Sequence, residues 1–279
     1  MSQRASGVEE MQRLAQRLRC VRNAMPVSPD QGTTAGGTTV TITGTNLGGA
    51  TAVSFGSKSA TNVINVSPTQ LTAVSPSGTG TVAVTVTTAG GTSNPEPFFY
   101  TGPPLVVSVS PDAGQFSGGN TVTITGLNLA SASAVDFGAN AGTITSVSDS
   151  EITVTVPTAS GVGTVPITVV TAGGSTDGIS YSYFANPTIT ALDPASGPSS
   201  GGTAITITGT ELSSTEQVVI GPNAIQAGGP SAPFTVVSDT EIAAVAPPNA
   251  AGAADVIVKT PGGSYSLPGG YTYLTGPGI

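Results

Sequence analysis

Two acidic triplets are the residues here whose types and spacing could do chemistry. Asp149-Ser150-Glu151 and Asp239-Thr240-Glu241 each place two carboxylates two positions apart. Clustered carboxylates in loops suit calcium, and paired acids facing one cleft suit glycoside hydrolysis. The position that matches them earlier in the chain reads Pro68-Thr69-Gln70, which supplies no such charge. A solvated turn before a strand explains both triplets, because Asp bonds readily to its own turn backbone. The other nucleophile and ligand chemistries are closed off by composition. The chain has no histidine, which removes a Ser-His-Asp triad and any His-metal site. Its single cysteine, Cys20, has no second Cys to pair with. The glycine-rich stretches TTAGGTT and SGGNT lack the Gly-Lys-Ser/Thr of a phosphate loop and read as turns entering strands. Lys58 and Lys259 occupy non-equivalent places, which argues against a Lys–Asn cross-link repeated through the chain. No catalytic, cofactor-binding or metal-binding residue is expected, and the chain is read as a non-enzyme.

The elements that would hold any site are written three times. GGTTVTITGTNL begins at Gly36, GGNTVTITGLNL at Gly118 and GGTAITITGTEL at Gly201, with spacings of 82 and 83 residues. A fixed period marks a copied structural unit. Val40 and Ile42 alternate with Thr39, Thr41 and Thr43, which predicts a strand with one buried face and one threonine-rich face in water. Val82, Val84 and Val86 alternate in the same way. Three strands are expected to stop at Pro76, Pro157 and Pro247, since proline cannot continue a ladder. Gly90-Gly91, Gly173-Gly174 and Gly262-Gly263 are expected in tight turns of positive φ. Each copy closes on alternating aromatics: Phe98 and Tyr100, Tyr181 and Tyr183, Tyr271 and Tyr273. Short strands, regular turns and an alternating core predict an all-β protein of three tandem immunoglobulin-like β-sandwiches.

Each copy also opens with a proline, a glycine three residues on and the double glycine seven residues on. These are Pro29, Gly32 and Gly36; Pro111, Gly114 and Gly118; Pro194, Gly197 and Gly201. The VTITG strand, an Asn-Leu or Glu-Leu pair, a strand ending in Phe-Gly or Ile-Gly and the final Tyr follow. In these features the chain resembles the IPT/TIG domain over roughly residues 25 to 275. That resemblance implies the immunoglobulin-like fold shared by plexins and some transcription factors and common in bacterial surface proteins. It implies fold more than function, because such folds host many unrelated activities. The expected organisation is an N-terminal helix over 1–24, then copies over 25–102, 103–185 and 186–279. The proline-containing linkers YTGPPL and YFANP predict an elongated, semi-rigid rod. The third copy carries an excess loop, GPNAIQAGGPSAP, between Gly221 and the strand beginning at Ile242. This stretch takes 21 residues, against 15 from Gly56 to Leu71 and 14 from Gly138 to Ile152. Loops on a rigid scaffold often carry recognition, but a tolerated insertion is the preferred reading, because long surface loops cost little free energy.

Charge divides the chain. Five arginines and two glutamates before residue 24 leave that segment at +3, while the remainder, with two lysines and thirteen acids, is at −11. An acidic body repels phosphate backbones, so nucleic acid is not an expected partner. Residues 6 to 22 form an expected amphipathic helix, with Ser6 and Glu9 as a capping box. Val8, Met11, Leu14, Leu18 and Val21 make its apolar stripe, and Arg13 and Arg17 lie opposite. A helix this short needs a surface to pack on. Docking on a protein partner or self-association through those five residues is therefore preferred over fold-back onto the first sandwich or membrane binding. No signal peptide or membrane-spanning run is recognised. The expected setting is a virion or the extracellular or cell surface. The expected role is a structural or binding rod anchored by its helix to a large assembly, such as a virion decoration or appendage, and displayed for attachment, with surface carbohydrate as a possible ligand. The alternative is a bacterial cell-surface adhesion or carbohydrate-binding module.

Overall fold

The computed structural model of the 279-residue chain describes residues 25–221 and 231–276. The expected helix, with Val8, Met11, Leu14, Leu18 and Val21, lies outside the described residues, as does most of the excess loop. The described chain is all β, and each copy pairs a four-stranded sheet with a second sheet. In the first copy one sheet orders Val27–Ser28, Thr39–Thr43, Gln70–Val74 and Thr61–Ser67. The other runs Gln31–Thr33, Glu96–Thr101, Gly80–Thr88, Ala52–Phe55 and Lys58–Ser59, with Gly91–Thr92 paired on Gly80–Thr88. The second and third copies repeat the four-stranded sheet, and their other sheet keeps the same order with five strands in the second copy and, among the described residues, four in the third.

The threonine-spaced strands form because alternate β-branched residues fill the space between the sheets. Val40 and Ile42, Val122 and Ile124, and Ile205 and Ile207 are buried, and the threonines between them face outward. Each buried Val or Ile contributes about 1.5–3 kcal/mol of transfer free energy. Aromatic residues of the last strand close each core. Phe98 meets Phe55 edge-on at 5.0 Å, Tyr181 meets Phe137 at 5.4 Å, and Tyr271 meets Tyr273 at 4.9 Å.

One feature of the topology is absent from the sequence pattern. The first strand of each copy belongs to one sheet, and after a cis proline the chain crosses to the other. The cis bonds are Ser28–Pro29, Ser110–Pro111 and Asp193–Pro194. Beyond them, Gln31–Thr33, Ala113–Gln115 and Ser196–Pro198 each lie parallel to the last strand of the same copy. Each first strand is thus split between two sheets and forms an edge strand of each.

The double-glycine turns also brace the linkers. Gly91, Gly174 and Gly263 have φ of 122°, 124° and 129°, as the turn requires. The glycine before each tells the copies apart. A side chain at Gly173 would strike the carbonyl of Gly102, and one at Gly262 would strike that of Ala185. The linker therefore lies directly on the turn of the sandwich that follows it. Gly90 makes no such approach, meeting only Thr88 Oγ1 at 3.6 Å.

Candidate functional site

The acidic triplets fold as turns, and the hydrogen bonds that hold them do not need the acids. Glu151 N–H donates to Ser148 Oγ at 2.9 Å, and Thr240 N–H donates to Ser238 Oγ at 3.2 Å. In the first copy Thr69 N–H donates to Ser67 Oγ at 3.2 Å, with no carboxylate present. A serine at one place in every copy is the shared device; Asp149, Glu151 and Asp239 are exposed and Glu241 is half-buried. Asp239 adds one bond, accepting from Ser213 N–H at 3.3 Å. Among the described residues no group of three or more His, Cys, Asp or Glu is arranged to hold a metal ion.

The glycine-rich entries to the strands also have their amides engaged. Gly118 N–H donates to Gln115 O at 3.0 Å and Gly119 N–H to Val156 O at 2.9 Å. Amides committed to the fold cannot cradle a phosphate. Lys58 Nζ donates to Ser77 O at 2.8 Å, and Lys259 lies opposite Gln217 and Ser264 in its sheet.

A polar constellation does recur at the end of each sandwich, and it is built from tyrosine. Tyr100, Tyr183 and Tyr273 donate their hydroxyls to the carbonyls of Pro76, Pro157 and Pro247 at 2.7, 3.0 and 2.8 Å. These are the prolines that stop the neighbouring strand, so one bond ties the last strand to that stop. Burial raises the Tyr183 hydroxyl to about 12, helped by the nearby Tyr181. Tyr100 and Tyr273 are also raised, burial being the leading cause. A tyrosine raised in the fold above its unfolded value near 10 stabilises fully below that value and loses its contribution as pH climbs toward the folded pKa. Melting temperature should therefore hold through pH 9 and fall between about 10 and 12. A flat profile across that window would contradict these hydroxyls being buried donors.

The penultimate aromatics differ in one informative way. Tyr181 accepts from Asn120 Nδ2 at 2.8 Å, and its hydroxyl fills the space that a side chain at Gly114 would occupy. Tyr271 fills the equivalent space over Gly197, but its hydroxyl is buried without a hydrogen-bond partner. Tyr181→Phe should cost about 1–2 kcal/mol, because it removes a bond and strands the Asn120 amide. Tyr271→Phe should be neutral or stabilising by up to about 1 kcal/mol, since it removes an unsatisfied group. Urea unfolding of the two variants separates these outcomes.

The third copy also carries a surface concavity. Beside the excess loop, Ala204, Thr206, Pro233, Phe234, Ala243 and Val245 line an open groove of about 360 Å³. Its rim is fixed by the returning end of the loop. Ala232 is buried, its N–H donating to Val218 O at 2.8 Å, and Val245 N–H donates to Pro233 O at 2.9 Å. The groove floor is apolar here because Ala243 and Val245 stand where the second copy has Thr153 and Thr155. Sequence reasoning found the loop but not the groove, which depends on cross-strand register.

The chain is similar to several known proteins. Mouse plexin-A3 is 31% identical over 205 residues, covering 67% of this chain and 11% of that protein. The chain thus spans about a tenth of the length of the curated relatives it matches. Among solved structures, the full extracellular region of plexin A4 aligns with a TM-score of 0.45 at 23% identity, covering 80% of this chain and 20% of that one. FdeC, an Escherichia coli adhesin, aligns at 0.32 and 18%, covering 88% and 96%. The IPT/TIG domain model matches residues 25–100, 104–183 and 187–273, the same three stretches that fold as paired sheets closed by a tyrosine on a proline carbonyl, and the chain belongs to the IPT/TIG domain family.

Proposed function

We propose that this chain is a non-enzymatic rod of three immunoglobulin-like sandwiches, fixed at its N-terminal end to a large assembly and displayed for surface attachment. The observation that carries this reading is the linker geometry. Each of the two linkers is seated on the turn of the next sandwich, at Gly173 and Gly262, which favours a fixed end-to-end arrangement over free hinging. Strands of nine residues rise about 30 Å, so three sandwiches in line extend on the order of 100 Å. Such a body supplies reach, and the segment over 1–24, which carries all five arginines of the chain, supplies the anchor. A virion decoration or appendage is the assembly that best fits this division of labour. The groove beside the third copy's loop favours a second reading, a cell-surface adhesion or carbohydrate-binding module, because its apolar floor and Phe234 suit the apolar face of a sugar ring.

The test is co-sedimentation of the full chain with virions and with cell envelopes, beside the variants Leu18→Asp and Val245→Arg. The anchored-rod reading expects binding to virions that Leu18→Asp abolishes, because a charge enters the apolar stripe. Envelope binding lost only on Val245→Arg would replace it with the second reading. Small-angle scattering of the same samples should show an elongated particle.

A further inference from the structure

The second sandwich presents an apolar patch where the third presents threonine. Leu105 and Leu127 face each other across antiparallel strands on the outer side of the sheet, with Val107 in the bulge beside them. They are 52%, 54% and 66% exposed. The same three positions of the third sandwich hold Thr188, Thr210 and Thr190 in the same pairing. There, Thr188 and Thr210 hydroxyls lie 2.7 Å apart and Thr190 donates to Thr208 O at 3.1 Å. This register therefore accommodates three hydroxyls, and the exposed apolar side chains are not a requirement of the fold. An acidic turn flanks the patch. Gly126 N–H donates to Ser150 O and Leu129 N–H to Asp149 O, and Glu151 stands opposite Thr125, which places two exposed carboxylates beside Leu127. The third sandwich has the acids without the apolar trio, and the first has Pro68-Thr69-Gln70 in place of the acids. Only the second copy combines them.

We infer that this patch receives residues 1–24 of a second copy of the chain. The inference rests on the reading of that segment as the association element. The complement is chemical: the stripe of Val8, Met11, Leu14, Leu18 and Val21 matches the apolar trio, and the five arginines match an acidic rim on a body with no Lys or Arg between residues 59 and 258. The tether argues for a second copy over the chain's own segment. Met25, directly after the segment, is buried in the first sandwich's core. Counted back from the cis prolines, Asn23 is the first-copy counterpart of Leu105, so the patch lies a full repeat, about 30 Å or more, from the point of attachment. As a helix the 14-residue stripe would be about 20 Å long, so within its own chain most of it would fall short of the patch. Two copies exchanging segments satisfy both patches and close a two-fold dimer.

Light scattering on the full chain across a dilution series tests this. The wild type is expected at twice the chain mass, shifting toward the monomer as salt rises. Leu105→Thr/Val107→Thr/Leu127→Thr, which installs the third sandwich's residues, should weaken the dimer by at least about ten-fold with unfolding unchanged. Leu18→Asp should do the same. A triple variant that dimerises like the wild type while Leu18→Asp is monomeric would overturn the patch and leave the segment's role standing. A Leu18→Asp chain that still dimerises would overturn the inference, while loss of virion binding in the same variant would leave the segment's anchoring role standing. A monomeric wild type would overturn the exchange outright.

Discussion

Gly118→Ala is expected to destabilise the second sandwich by roughly 2–4 kcal/mol, while Gly119→Ala beside it costs only about 1 kcal/mol. Both glycines have positive φ, 70° and 90°, so any side chain at either meets the left-handed penalty. They differ in what the side chain would touch. A Cβ on Gly118 would lie 2.6 Å from the Pro157 carbonyl carbon and carbonyl oxygen, which are backbone and cannot rotate away. A Cβ on Gly119 meets nothing within 4 Å. The two strands would have to part at the point where Gly119 N–H bonds Val156 O and Tyr183 bonds Pro157 O. Gly36 and Gly201 sit in the same way against Pro76 and Pro247, so the same contrast should appear in the other copies. Denaturant unfolding of the paired variants measures it. Equal losses would mean that backbone conformation alone, and not close approach, fixes the first glycine.

Phe137→Ala should lower the stability of the second sandwich by about 3–5 kcal/mol and leave its neighbours where they are. Phe137 is fully buried and stands edge-on to Tyr181 at 90°, so truncation removes apolar burial and the ring contact together. The locality follows from three separate clusters. Phe137 packs with Val122, Ile124, Ile152 and Ile167, all of the second copy, and no residue is shared with the first or third core. Calorimetry should show one transition moved and the others unshifted, and limited proteolysis should cut the middle of the chain first. If all transitions moved together, the linker contacts at Gly173 and Gly262 would be coupling the sandwiches into one cooperative unit.

How much of this was legible beforehand depends on whether a feature is local. The threonine alternation of Val40 and Ile42 announced a half-buried strand, because side chains on a strand change face at every residue. Phe98, Tyr100 and their counterparts announced the closing strand for the same reason. The outer strand Thr61–Ser67 was not legible. Its register slips between Thr61 and Ile64 and again between Asn65 and Ser67, so Val63, Ile64 and Val66 keep no period.

The site features divide along the same line. Charge and composition alone separated a basic N-terminal segment from an acidic body and removed histidine chemistry. The sequence also located the acidic triplets and the excess loop, since both are deviations between copies that can be aligned by eye. It could not find the groove at Ala243 and Val245 or the patch at Leu105, Val107 and Leu127, because each joins side chains from different strands. Leu105 and Leu127 are 22 positions apart and meet only through antiparallel register. The passage of each first strand from one sheet to the other, and the seating of a linker on a glycine turn 71 positions later, at Gly102 and Gly173, were likewise decided by the fold. Periodicity is written into neighbouring residues by the geometry of a single strand. Pairing between strands is set by which arrangement buries all the alternating faces at once, and that is a property of the assembled sandwich alone.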